Sequence, residues 1–151
     1  SEICLQKASP ILWNYSFISS LRIGHLVKFS DHFSYSNEQF HLGGPNSVRG
    51  FKNNSLGPRE RNIPIGGKYL AEISCNLVSP YLNNNRIARF HTFFNSGYIS
   101  NGAQGHLYSS AGVGVQGNIS GVKIEVNACL PMTQSGINDP CIQVGLGIDT
   151  I

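Results

Sequence analysis

The chain is short of charge. Asp, Glu, Lys and Arg supply 13% of its 151 residues, about half the usual share. Apolar residues stand at 40%, so the gap is filled by Gly, Ser and Asn. A surface poor in Lys and Glu solubilises weakly. The net charge of +3 comes from scattered groups without a basic stripe, so no nucleic-acid partner is expected. Apolar runs of the length that a membrane helix needs are missing, as is a charged-apolar-small leader. Residue 1 is Ser and patterned sequence begins at once; the expectation is a piece of a longer or processed protein.

Ligand clusters are missing too. Cys4, Cys75, Cys129 and Cys141 stand singly, and His25, His32, His41, His91 and His106 show no metal-ligand spacing. These read as small wall or core residues. Spacing does not decide whether Cys129 and Cys141 bridge a hairpin. The sequence contains neither GxSxG nor HExxH, and LGGPNSVRG lacks the GK[ST] ending of a phosphate loop. A hydrolase site built from scattered His, Ser and Asp has no motif behind it. We therefore expect no enzyme, no catalytic residue, no cofactor and no metal.

What the sequence does have is period-two alternation, recurring about six times. Val122, Ile124, Val126, Ala128 and Leu130 alternate with Lys123, Glu125, Asn127 and Cys129. Tyr69, Ala71, Ile73, Cys75 and Leu77 alternate with Lys68, Leu70, Glu72, Ser74 and Asn76. Strands are predicted at about 12–26, 68–78, 87–96, 108–118, 122–130 and 141–150, the first with Trp13, Tyr15, Phe17, Leu21 and Ile23 on one side. Turn clusters (Pro80–Asn85, Gly97–Gly105, Asn118–Gly121, Pro131–Pro140) separate them, and no amphipathic helix exceeds a turn or two. The pattern is an all-β antiparallel meander.

Two all-β solutions compete. In a soluble sandwich the apolar face is interior; in a membrane barrel it meets lipid while the polar face lines a lumen. The runs have about the nine to eleven residues that a tilted strand needs to cross a bilayer. Gly112, Gly114, Gly145 and Gly147 fall on the polar face, where a loop inserted into the lumen would want the room. Trp13, Tyr15, Tyr69, Tyr81, Tyr98 and Tyr108 suit interfacial girdles. The barrel is the better reading.

Between the first two predicted strands lies a loop at about 28–66. Long aperiodic loops are usually functional, and this one looks ordered. Gly43, Gly44, Pro45, Gly50, Gly57 and Pro58 set special backbone angles, and Phe51 and Leu56 give it packing groups. It presents Arg49 between Val48 and Gly50.

The stretch FHLGGPNSVRGFKNNSLGPR, Phe40 to Arg59, resembles the signature loop of the outer-membrane barrel-assembly superfamily, the BamA-like or bacterial surface antigen family. NSLGPR (Asn54 to Arg59), EVNACLPM (Glu125 to Met132) and QVGLGI (Gln143 to Ile148) resemble its mitochondrial branch, the channel subunit of the sorting and assembly machinery. The resemblance covers essentially the whole chain but only the carboxyl-terminal third of such a protein. It implies about the last six strands of a sixteen-stranded transmembrane barrel that inserts other barrel proteins into the mitochondrial outer membrane. Its partners would be unfolded barrel precursors, other subunits of the complex and the lipid bilayer. Gly43, Gly44, Val48, Arg49, Gly50, Phe51, Gly57 and Pro58 would form the loop site, with Arg49 reaching an acid on the inner wall. Glu72, Glu125 and Asp149 all fall on polar faces and are its candidate partners. Gln143, Gly145, Gly147 and Ile148 would belong to a weakly paired gate strand that templates incoming strands. That segment also loosely resembles a mitochondrial barrel-targeting signal, with Thr150 where a large hydrophobe belongs. A translocating pore of the same superfamily, a soluble all-β binding domain and an inactive truncated product are the alternatives. Alone, six strands with open edges should not be a competent insertase.

Overall fold

The computed structural model describes residues 1–26, 39–82, 88–119 and 122–148. Asp149, Thr150, residues 28–38 of the loop and parts of the Pro80–Asn85 and Asn118–Gly121 turns lie outside these. The fold is all-β and antiparallel. Its elements are β1 (Glu2–Pro10), β2 (Ser16–His25), β3 (Arg59–Glu60), β4 (Ile63–Pro64), β5 (Tyr69–Val78), β6 (Ala88–Ser100), β7 (Gly105–Ile119), β8 (Val122–Thr133), β9 (Gly136–Ile137) and β10 (Cys141–Ile148). One eight-stranded sheet runs β1-β2-β5-β6-β7-β8-β10, with β9 paired to β8, while β3 and β4 form a separate hairpin inside the loop. Among the described residues the sheet does not close, so β1 and β10 are its edges.

Side chains sort by face as a membrane barrel requires. Leu21 on β2, Ile73 on β5, Phe94 on β6, Val113 on β7, Val126 on β8 and Leu146 on β10 are exposed. The buried set on the opposite face is mainly polar, with Glu72, His91, Asn95, Ser110, Gln116, Glu125 and Asn127 alongside Leu70, Val78, Phe93, Ile99 and Cys129. A soluble sandwich buries the first set and wets the second; this sheet does the reverse. The apolar outer face therefore belongs against lipid.

Three sequence expectations are corrected. Glu2–Pro10 is a strand, register-paired with β2 from Glu2↔Gly24 to Pro10↔Ser16. Its outward face carries only Ile3 and Leu5 as large apolar groups, too few to register as a period. Trp13 does not lie in a strand: Leu12–Asn14 is a tight turn joining β1 to β2, and Trp13 and Asn14 take φ of 63° and 60°, the left-handed region that side chains rarely occupy. Tyr108 is not a girdle residue. It points inward, edge-on to Phe51 with ring centroids 5.8 Å apart.

A small apolar core lies between the loop and the inner wall. Leu42, Val48 and Leu56 from the loop pack with Leu70 and Ile99, flanked by Phe40, Phe51 and Tyr108. Leu70 and Ile99 are direct cross-strand partners, so two inward apolar residues at one end of the wall suffice to seat the loop.

Candidate functional site

The loop reaches its position through its own backbone. Phe40 and Gly67 exchange hydrogen bonds of 2.9 Å at its neck, and Leu56 N donates to Leu42 O at 3.2 Å further in. Ser47 N donates to Gly44 O at 3.1 Å and Gly44 N to Val48 O at 3.2 Å, closing the turn that precedes Arg49. Gly50 follows with φ of +83°, so the chain reverses immediately after the arginine. A Cβ there would stand 3.0 Å from the Cβ of Cys129, and glycine meets both requirements.

Arg49 is 9% exposed. Its Nε donates to Glu125 Oε1 at 3.2 Å, and one terminal nitrogen donates to Asn76 Oδ1 at 3.2 Å and to Asn95 Oδ1 at 3.1 Å. The guanidinium carbon sits 4.7 Å from the centroid of the Phe93 ring. One side chain thus ties the loop to β5, β6 and β8. Strand β7 contributes the space. A Cβ at Gly112 would lie 2.6 Å from the Phe93 ring, so the ring lies across the glycine and offers Arg49 its face. A buried guanidinium needs such a neutralised, multiply accepting seat.

Of the three acids singled out in the sequence, Glu125 meets Arg49. Its other oxygen, Oε2, is 3.4 Å from Lys123 Nζ. Glu72 serves a different contact: Oε2 is 3.6 Å from Arg22. Arg22 in turn donates from Nε to Glu2 at 2.5 Å. Asp149 lies outside the described residues. Asn76, Asn95 and Phe93 were missed as members of the site. Their only sequence signal is placement on the polar faces of their strands, shared with many other residues.

The edge strand touches the same loop. Gln143 on β10 accepts from Gly50 N at 3.0 Å and donates from Nε2 to Phe51 O at 2.9 Å. Gly145 faces Pro45, whose Cβ a new methyl would approach to 2.9 Å; nothing lies within 4 Å of such a methyl at Gly147. Gly57 N donates to the Tyr108 hydroxyl at 3.3 Å, and Pro58 is fully buried. Gly97, expected in a turn, lies within β6 and makes room for the loop: a Cβ there would stand 2.7 Å from Leu42 and 2.9 Å from Val48.

An open sheet with an apolar outside, a polar inside and an arginine loop folded onto its inner wall defines part of an outer-membrane-type β-barrel. The model of the Omp85 superfamily domain matches residues 1–149, and the chain belongs to that superfamily. It is similar to the Sorting and assembly machinery component 50 homolog of Mus musculus, 32% identical over 167 residues that cover 95% of this chain and 35% of the relative. A SAM50-like protein of Schizosaccharomyces pombe is 30% identical over 99% of the chain and 35% of its own length. The Sorting assembly machinery 50 kDa subunit of Saccharomyces cerevisiae is 26% identical, over 88% and 31%. The chain spans about a third of the length of these relatives.

Proposed function

We propose that this chain is part of an insertase that folds β-barrel precursors into the mitochondrial outer membrane, acting without enzyme chemistry or a cofactor. The similarity to sorting and assembly machinery components supports the setting. The observation that carries the reading is the shared hold on the loop. Arg49 anchors it to β5, β6 and β8, and Gln143 joins the next residues of the same turn to the edge strand. A strand edge offers N–H and C=O groups in register, and an incoming strand can add to it. The loop beside it then fixes the position of that edge. Unfolded barrel precursors and the other subunits of the assembly complex are the partners.

The test is site-specific photo-cross-linking from the outward face of β10, at Val144, in the full-length parent protein in isolated mitochondria. Arrested porin-type precursors should cross-link through their strands. Cross-links to a soluble passenger instead would assign a translocating pore, and an absence of both would remove β10 from any such role.

A further inference from the structure

Beside the arginine seat, the inner wall carries a pair of cysteines. Cys129 on β8 and Cys141 on β10 are direct register partners. Both are free thiols, Cys129 only 2% exposed and Cys141 half-buried. As register partners they stand side by side on the inward face of the sheet. Residues directly opposite in an antiparallel ladder have Cα atoms about 4.5–5.5 Å apart, inside the window of about 4.4–6.8 Å that a disulfide needs. The backbone is thus already placed for a bond. Cys4 and Cys75 have no such arrangement, since Cys4 faces Arg22 and Cys75 faces Ser19 and Phe94. The loop rests on the pair: Cys141 Sγ donates to Gly50 O at 3.4 Å, and Gly50 packs against the Cys129 Cβ.

We propose that Cys129 and Cys141 form a reversible dithiol–disulfide site whose oxidant is a low-molecular-weight disulfide. The more accessible Cys141, as thiolate, attacks one sulfur of the small disulfide. The Cys141 mixed disulfide forms and one small thiolate leaves. Cys129, as thiolate, then attacks Cys141 Sγ, forming the cross-strand bond and expelling the second small thiolate. The two protons lost by the cysteines end on the two released thiols. The protein loses two electrons and the small disulfide gains them. Oxidation staples the first residue of the edge strand to β8 and removes the S–H that Gly50 O accepts. The redox state thereby sets how firmly the start of β10 and the turn beside Arg49 are held. The site stands on register and side-chain placement, independently of the assembly role.

The experiment uses membranes containing the full-length protein, exposed to glutathione disulfide. Remaining thiols are blocked with a maleimide after denaturation, and the chain is cut before Asp139, which lies between the two cysteines. The expected result is a pair of peptides joined through Cys129 and Cys141 and separated by reduction. Maleimide uptake is lost at both and unchanged at Cys4 and Cys75. In Cys129→Ser, Cys141 should remain as the glutathione mixed disulfide. The proposal is overturned if the wild-type chain carries glutathione on Cys141 with Cys129 free, or if both cysteines still take maleimide. It is overturned equally if Cys141 stays unmodified in a membrane-inserted Cys129→Ser protein. The wild-type peptide readout stands even where that variant does not fold.

Discussion

Removing the Arg49 side chain should unseat the loop while leaving the barrel itself in the membrane. Arg49→Ala deletes three hydrogen bonds and the stack on Phe93, and it leaves Glu125, 4% exposed, without its guanidinium. Breaking a buried pair from one side costs about 3–5 kcal/mol. Lys123, 3.4 Å from the other oxygen of Glu125, supplies part of the lost charge. The loss should therefore fall near the lower end, about 3 kcal/mol. The assay is a urea titration of the membrane-inserted parent protein, read by protease cleavage within the loop. It is run on Arg49→Ala, Glu125→Ala and the double variant, then again with Glu72→Ala in place of Glu125→Ala. Coupling of about 2 kcal/mol is expected with Glu125 and close to none with Glu72, whose ion-pair partner is Arg22. A Glu125 coupling below about 0.5 kcal/mol, or an equal one for Glu72, refutes the assigned pairing. In the same preparations, precursor assembly should fall while the variant's own carbonate-resistant insertion persists.

Gln143→Ala removes two loop contacts at the edge strand. It should cost about 1–3 kcal/mol and raise protease nicking near Phe51, with the seat around Glu125 intact. Gly97→Ala drives a methyl into Leu42 and Val48 and should destabilise by about 1–3 kcal/mol. Gly147→Ala meets open space and should leave the urea midpoint unchanged. Val126→Arg, at an exposed outward position, should lower membrane integration by about 2–4 kcal/mol; unimpaired carbonate-resistant integration would refute a lipid-facing outer surface.

The faces of the long strands were legible in the sequence because alternation survives in either environment. Val122 to Leu130 reads as one apolar and one polar row, whichever medium each row meets. What alternation omits is direction. That came from a secondary clue, the glycines on the polar row, and from exposure once the structure was in hand. Strand β1 was illegible because Lys7 and Ser9 continue its outward row after Ile3 and Leu5. A long, Gly- and Pro-punctuated loop singles out Arg49, but its place against the inner wall was implied only by the resemblance of that loop to the family's signature loop. Its pairing was not legible: Glu72 and Glu125 both sit on inward rows, and only register and loop geometry separate them. Glu72 falls opposite Arg22, whereas Glu125 lies two strands beyond Asn95.

The distribution of contacts also decides what holds the loop. The loop's apolar seat uses Leu70 of β5 and Ile99 of β6, and its polar seat uses Asn76 of β5, Asn95 of β6 and Glu125 of β8. Strand β10 adds the two Gln143 hydrogen bonds and the Cys141 thiol contact. At about 1 kcal/mol net for an ordinary hydrogen bond, releasing β10 costs the loop far less than releasing the Arg49 cluster. The loop is therefore held on the wall chiefly by the Arg49 cluster and only secondarily by β10. A staple at Cys129–Cys141 would add to the hold of β8 on β10 at the first residue of the edge strand.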